Sequence, residues 1–126
     1  MHENEISEQV IGCAIAVHRI LGPGLLESVY EECLAAEMKG IGLDFERQKP
    51  VPVIYRDVKL DCGYRVDFLV GQKVIVDLKA IEIVPPVMYA QVLTYTRLLN
   101  KRLGLLINFH VELLSKGVRR VVNNLE

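Results

Sequence analysis

The chain has 126 residues, of which 51% are hydrophobic and 25% are charged, and its formal net charge is −1. This length and composition predict a single globular domain over residues 1–126. The near-neutral charge argues against a protein that coats nucleic acid through bulk electrostatics, but allows an enzyme that contacts a few phosphates. No apolar stretch approaches the ~20 residues of a membrane-spanning helix, and the polar, acidic start of the chain differs from a signal peptide.

The three cysteines, Cys13, Cys33 and Cys62, are far apart and form no C-x-x-C pair. An odd number at this spacing predicts neither a disulfide framework nor a zinc site. Each is most simply a small buried hydrophobic side chain in a reducing compartment. We therefore expect a cytoplasmic protein with no membrane association.

Two helices are predicted at the start of the chain. Apolar residues recur at helical spacing between positions 4 and 21, and Gly22-Pro23-Gly24 ends that helix. A second helix is predicted to begin near Leu25 and to run to about Lys39, where Gly40 and Gly42 end it.

From Leu43 onward the apolar period changes to two, which predicts strands. Short strands are expected at 43–47 and 51–55, with Pro50 and Pro52 indicating an edge position. A turn is expected at Arg56-Asp57, and 59–62 is expected to be another short strand or the approach to the next one. The strongest strand patterns cover 64–70 and 74–79, joined by a hairpin loop at 71–73. A helix at about 86–101, a buried strand at 103–109 and a final strand or short helix at 118–122 complete the order ααββββαβ(β). This order predicts an α/β fold with a mixed central sheet and helices on its faces.

The alternation within the central hairpin predicts which side chains share a face. The six even positions are all apolar and are expected to face one core: Val66, Phe68, Val70, Val74, Val76 and Leu78. Pairing the two apolar sets requires a loop with an odd number of residues. A three-residue loop at 71–73, closed by Val70 opposite Val74, meets that requirement. In that register Asp67 lies directly opposite Asp77, with Lys79 two residues further along the same face.

Two carboxylates directly opposite each other on paired strands repel. A fold tolerates this when a cation lies between them or when the face is fully solvated. Arg65 and Lys79 flank the pair, which allows a surface ladder of salt bridges. Leu69 and Ile75 on the same face indicate that it is at least half covered.

The spacing Asp67-x9-Asp77-x-Lys79 resembles the PD-(D/E)XK nuclease pattern, in which an Asp ends one strand and D/E-x-K occupies the next. Val66 stands before Asp67, where that pattern has proline. The resemblance implies a PD-(D/E)XK, restriction-endonuclease-like fold.

Two further segments add to this resemblance. Gly24-Leu25-Leu26-Glu27-Ser28-Val29-Tyr30 matches the signature of the GxxExxY family, a branch of the same superfamily, and His18 and Leu21–Gly24 also look like that family. Gln91-Val92-Leu93-Thr94-Tyr95 is similar to the Q-x-x-x-Y motif of RecB-type exonuclease domains. The resemblance runs from about Ile6 to Val122, which is nearly the whole chain.

By this resemblance Glu27, Asp67, Asp77 and Lys79 would form a catalytic site with Mg²⁺ or Mn²⁺. Asp67 and Asp77 would supply carboxylates and the backbone carbonyl of Leu78 a third oxygen, because hard cations prefer oxygen ligands. Glu27 would bind the metal directly or through water, and Lys79 would orient the attacking water or stabilise charge on the phosphate. The alternatives are that Glu27 only stabilises a helix start and that Lys79 forms an ordinary ion pair.

Four further residues are candidates for contact with substrate. Gln91 and Tyr95 share one helix face, and the resemblance implies contact with substrate phosphate or with the metal's waters. Their alternative is a core tyrosine beside a satisfied glutamine. His18 would lie near the site by the resemblance, or else be a structural histidine on an apolar helix face. Tyr30 belongs to an apolar stripe, with a hydroxyl near Glu27.

The resemblance implies a metal-dependent nuclease that hydrolyses phosphodiester bonds in nucleic acid, with DNA favoured. One alternative is a non-catalytic or accessory module that binds nucleic acid or protein and keeps the nuclease fold. A chain this short has little room for substrate recognition, so a homodimer or a protein partner is expected to supply that surface. A third alternative is an unrelated α/β domain whose Asp/Lys ladder is only solvated, which predicts no site-specific metal binding.

Overall fold

The computed structural model describes residues 1–126. Its helices are α1 (Glu3–Leu21), α2 (Glu27–Gly40) and α3 (Pro86–Leu98), with a short 3-10 turn at Leu114–Lys116. Its strands are β1 (Phe45–Pro50), β2 (Val53–Tyr55), β3 (Val58–Leu60), β4 (Arg65–Val70), β5 (Val74–Lys79), β6 (Leu103–Asn108) and β7 (Val118–Val122). None of the helices is long and apolar enough to cross a membrane.

Local interactions define the ends of the first two helices. His2 caps α1, because its Nδ1 accepts the backbone N–H of Asn4 at 3.0 Å. Gly22 ends α1 at φ 69°, in the left-handed region that glycine adopts without strain, and donates its N–H to the His18 carbonyl. Leu26 keeps an extended backbone, so α2 begins at Glu27, two residues later than the sequence predicts.

The main sheet has five strands in the order β1-β4-β5-β6-β7. Only β5 and β6 run parallel, and α3 connects them; the other neighbours pair antiparallel. The sheet is therefore mixed, as the sequence predicts. The hairpin register is confirmed as well, because Val70 pairs with Val74 and Phe68 pairs with Val76.

The two faces of the sheet carry separate apolar cores. Helices α1 and α2 cover one face and form the larger cluster with inward side chains of β4, β5 and β6. Helix α3 covers the other face, where Leu69 and Ile75 are buried against Tyr95. Both sides of the strands that carry Asp67 and Asp77 are thus covered, as Leu69 and Ile75 indicated.

Val66 departs from the prediction that six apolar residues share one core. It lies in the smaller cluster under α3, whereas the other five lie in the larger one. The alternation of β4 breaks at Asp67, where the ladder to β1 skips the Gln48–Asp67 position and Gln48 has φ 52°. Asp67 is therefore located at an irregularity of the sheet.

Three boundaries differ from the sequence prediction. Strand β1 extends to Pro50, because proline is tolerated on the outer strand of a sheet where no partner needs its N–H. Strands β2 and β3 form a separate two-stranded sheet, and the segment expected at 59–62 is the strand Val58–Leu60, so five strands precede α3, one more than the predicted order has. Helix α3 ends at Leu98 rather than Lys101, since Asn100 turns to φ 56°. The segment 118–122 is a strand.

Candidate active site

Two aspartates face each other where β4 and β5 separate. The hydrogen-bonded ladder between these strands ends at Phe68–Val76, and continuing the same register by one residue sets Asp67 against Asp77. Asp77 is only 6% exposed, and Asp67 is half-buried. Because the strands no longer share backbone hydrogen bonds there, the Asp67 side chain can occupy the gap.

Asp67 is fixed by two hydrogen bonds. Its Oδ2 accepts the backbone N–H of Leu78 at 2.7 Å, and its Oδ1 accepts a hydrogen bond from Gln48 Nε2 at 3.2 Å. Burial raises the pKa of Asp67 to about 7; the Leu78 N–H opposes this shift, and Asp77 and Glu27 add to it. The site therefore holds more negative charge than the fold neutralises at neutral pH.

Lys79 provides the cation closest to the two aspartates. Its Nζ lies 3.0 Å from Asp77 Oδ2, and its side chain is largely buried. Burial alone would lower the pKa of Lys79, but contact with Asp77 and the nearby Glu27 and Asp67 more than offset this, so the pKa is raised. Lys79 therefore remains an ammonium group and cannot act as a base while these carboxylates are ionised.

Glu27 approaches the same charges from the start of α2. Although much of the residue is exposed, partial burial raises the pKa of its carboxyl group. Lys79 opposes that shift, whereas Asp77 and Glu31 reinforce it. The structure thus brings all four predicted catalytic residues, Glu27, Asp67, Asp77 and Lys79, into one electrostatic neighbourhood.

Two residues that sequence reasoning missed, Glu31 of α2 and Gln48 of β1, connect α2 to Asp67. The Nε2 of Gln48 donates one hydrogen bond to Glu31 Oε1 at 2.6 Å and another to Asp67 Oδ1. Arg47 pairs with Glu31 at 2.6 Å and with Glu32 at 2.7 Å. Glu31 lies one helical turn after Glu27, so that spacing was the available signal. The partner strand could not be identified from local sequence.

Tyr30 and His18 are both buried in the larger core. Tyr30 is fully buried and stacks on Phe109 at 4.4 Å between ring centroids. Its hydroxyl donates to the Gly22 carbonyl at 2.6 Å and accepts the Leu25 N–H at 3.2 Å, which fixes the loop before Glu27. His18 is 7% exposed, and its Nε2 bonds the Val111 carbonyl at 2.7 Å. The Tyr30 hydroxyl and the His18 imidazole therefore both form hydrogen bonds with backbone groups of the chain itself.

Gln91 and Tyr95 lie on the α3 side of the sheet. Both line an open groove between α3 and β2. Tyr95 is 7% exposed, and burial raises its pKa, with Asp77 as the next cause. Tyr95 therefore lies close enough to Asp77 to be influenced by its charge, whereas the backbone of Gln91 is one turn nearer the start of α3.

The oxygen atoms of the site fit a hard divalent cation better than they fit zinc. No group of three or more His, Cys, Asp or Glu side chains converges on one point in the structure. Mg²⁺ and Mn²⁺ need fewer protein ligands than this, because one or two carboxylates, waters and substrate phosphate complete such sites. The pair formed by buried Asp77 and half-buried Asp67 fits that requirement, and all of its donor atoms are oxygens.

Comparison with known proteins identifies the family. A family model described as the PD-(D/E)XK nuclease superfamily matches residues 4–121. No curated protein and no solved structure gave a match. The matched range includes the two helices, the hairpin with both aspartates, and α3. The chain therefore belongs to the PD-(D/E)XK nuclease superfamily, whose members generally use divalent metal ions.

Proposed function

We propose that this protein is a divalent-metal-dependent nuclease that hydrolyses phosphodiester bonds, using Mg²⁺ or Mn²⁺ held by Asp67 and Asp77. The observation that carries the proposal is the pair of carboxylates, Asp77 buried and Asp67 half-buried, with the Lys79 ammonium 3.0 Å from Asp77. Two carboxylates balanced by one ammonium are costly to remove from water, and a divalent cation would relieve that cost. The superfamily membership supports the reaction class.

Each residue has a proposed role. When bound, the metal would polarise the phosphate and make the attacking water more acidic. Asp67 and Asp77, with the Leu78 carbonyl, would hold it, and Glu27 would complete its shell through a water. Lys79, kept charged by its neighbours, would orient the nucleophile or stabilise negative charge developing on the phosphate.

The test combines metal binding with cleavage. Wild type, Asp77→Asn and Lys79→Met would be titrated with Mn²⁺ by calorimetry and then incubated with single-stranded, duplex and branched DNA and with RNA. We expect Asp77→Asn to lose both binding and cleavage. Lys79→Met should bind Mn²⁺ and lose cleavage by about 100-fold or more, since the ammonium acts on the reacting groups.

Two controls make this test specific. Asp57→Asn removes an exposed carboxylate at the β2–β3 turn and should leave both readouts unchanged. Circular dichroism would verify that every variant folds. Cleavage that persists in Asp77→Asn would contradict the proposal, as would a wild type that cleaves none of the substrates with either metal.

The GxxExxY branch and the cellular location also belong to this proposal. The resemblance of Gly24–Tyr30 to the GxxExxY signature supports the branch, and Glu27 of that segment is near enough to Lys79 and Asp77 for their charges to shift its pKa. Only Cys13 is buried, whereas Cys33 is half-buried and Cys62 is exposed, so the expectation that all three are buried is wrong. Three thiols without a disulfide still support a reducing, cytoplasmic environment. A partner or second copy that supplies further recognition surface would be indicated by cleavage that depends on protein concentration.

A further inference from the structure

An open apolar groove runs beside the candidate active site. It has a volume of about 570 Å³ and lies between α3 and the start of β2. Its walls include Val53, Ile54, Tyr64, Ala90, Gln91 and Tyr95. Volumes of this order accommodate small organic groups. Tyr64 is 46% exposed and Ile54 48%, so the groove presents apolar surface to solvent.

The groove continues into the acidic site through shared residues. Tyr95 lines the groove and belongs to the same buried cluster as Val66 and Ile75. Val66 directly precedes Asp67, and Ile75 lies two residues before Asp77. Tyr64 directly precedes β4, and its ring lies 6.1 Å from that of Tyr95. Tyr95 therefore connects the apolar groove to the strands that carry the two aspartates.

The groove offers the two kinds of contact that a nucleobase uses. The half-exposed ring of Tyr64 supplies a flat apolar face. Gln91 supplies an amide that makes no hydrogen bond within the chain, whereas the Thr94 hydroxyl is already bonded to the Ala90 carbonyl at 3.0 Å. One aromatic face and one free amide can stack a base and bond its edge.

Basic side chains lie where a nucleic-acid backbone would leave the groove. A second groove, which we call the lysine groove, is lined by Lys49, Lys59, Pro52, Leu99 and other residues, including one carboxylate, Asp61. The two grooves adjoin, because Pro52 and Leu99 are chain neighbours of Val53 and Leu98 in the apolar groove. Lys49 Nζ already pairs with Glu46 Oε2 at 3.3 Å, whereas Lys59 forms no ion pair within the chain, so Lys59 is the ammonium of this groove that is free to meet a phosphate.

We propose that the apolar groove binds an unstacked nucleobase of a single-stranded nucleic acid, with Tyr64 as the stacking platform and the adjoining lysine groove binding the phosphates. This inference rests on the proposed nuclease function and deepens it by naming the substrate class. Bases inside a duplex are stacked on their neighbours and paired, so they cannot enter a side groove. Bases of a single strand, a loop or a frayed end can.

The test measures binding without cleavage. A dye-labelled single strand, in DNA and RNA versions, and a duplex of the same sequence would be titrated in EDTA, with fluorescence anisotropy as the readout. Wild type should bind the single strand more tightly than the duplex. Tyr64→Ala should weaken single-strand binding roughly 5- to 100-fold, the effect of losing one stacked base. The DNA and RNA versions distinguish the two sources of the base.

Matched variants separate stacking from general damage. Tyr64→Phe keeps the ring and should bind as wild type does. Tyr55→Ala removes another exposed tyrosine, 62% exposed, that does not line the apolar groove, and should also bind as wild type does. The inference is overturned if Tyr64→Ala has no effect, if Tyr55→Ala has an equal effect, or if wild type does not favour the single strand.

The outcomes also distinguish this inference from the nuclease proposal. Cleavage that requires Asp77 but is indifferent to Tyr64 would retain the nuclease and remove the base site. Single-strand binding that depends on Tyr64 without any cleavage would retain the base site and remove the nuclease. Sedimentation of wild type and Tyr64→Ala would reveal the competing occupant: a dimer lost in the variant would assign the groove to a second copy of the chain and overturn the inference.

Discussion

Asp67 is the residue at which folding and the proposed chemistry make opposite demands. Burial raises its pKa to about 7, which favours the neutral form in the absence of metal, whereas a metal ligand must be ionised. Gln48 and the Leu78 N–H hold the carboxylate in place in either state. The site is therefore fixed in geometry but left short of positive charge.

The stability of the metal-free protein should depend on pH through Asp67. Because the folded pKa is raised from the ordinary 3.8 to about 7, its stabilising contribution is complete below 3.8 and is lost as pH rises to about 7. Asp67→Asn removes this dependence. In EDTA, urea denaturation should show wild type losing about 1–3 kcal/mol relative to the variant between these pH values.

Above the folded pKa the difference between the two proteins should be constant. The exposed-site variant Asp57→Asn serves as the control and should follow wild type at every pH. A wild type that gains stability relative to Asp67→Asn on raising the pH would show that Asp67 is ionised more easily in the folded protein than in the unfolded chain, opposite to this account.

At the scale of the elements, helix α3 lies in close contact with strand β6. Gly104 of β6 pairs with Ile75 of β5, and a Cβ at position 104 would lie 2.6 Å from Val92 Cγ1 and 3.2 Å from Thr96 Cγ2. Helix α3 therefore packs on the sheet through a residue without a side chain. This contact fixes the height of Tyr95 and Gln91 above the strands that carry the aspartates.

Gly104→Ala should destabilise the fold by about 1–3 kcal/mol, because the added methyl group overpacks a rigid contact. Urea denaturation of the single variant and of Gly104→Ala combined with Val92→Ala measures the effect. The double variant should recover part of the loss, since Val92 gives the shortest contact. Equal instability in both would mean that the clash with Val92 is not the cause. Gly12, whose added Cβ would meet nothing within 4 Å, is the matched control.

At the scale of the whole molecule, the candidate active site is assembled from elements on both faces of one sheet. Glu27 comes from the helical layer on one face, the aspartates and Lys79 from the central hairpin, and Tyr95 from the helix on the other face. A ligand held between these parts would bind only the folded chain. Its binding free energy would then add to the free energy of unfolding.

Mn²⁺ should therefore raise the melting temperature. At a metal concentration about 100 times the dissociation constant, the gain is about 2.7 kcal/mol, which corresponds to several degrees for a chain of this size. Thermal denaturation with Mn²⁺ and with EDTA measures it, and Asp77→Asn should show no shift. Stabilisation that is equal in wild type and Asp77→Asn would place the metal elsewhere.

The sequence by itself determined the hairpin and its chemistry. Alternation and loop length set the pairing of Val70 with Val74, and hence Asp67 against Asp77, because strand register depends on nearby residues. The spacing of the acidic residues and Lys79 likewise indicated the superfamily that the family match confirmed.

Only the tertiary structure decided the surroundings of that hairpin. The link from Glu31 through Gln48 to Asp67 joins helix α2 to strand β1, and Gln48 lies 17 residues after Glu31. The apolar groove brings together segments that are still further apart in the chain, such as those of Tyr64 and Tyr95. The shift of Val66 to the second core follows from the irregular pairing of β1 with β4. Periodicity reports which face a residue occupies within its own element, but not which distant element packs against that face, because that depends on the packing of the whole chain.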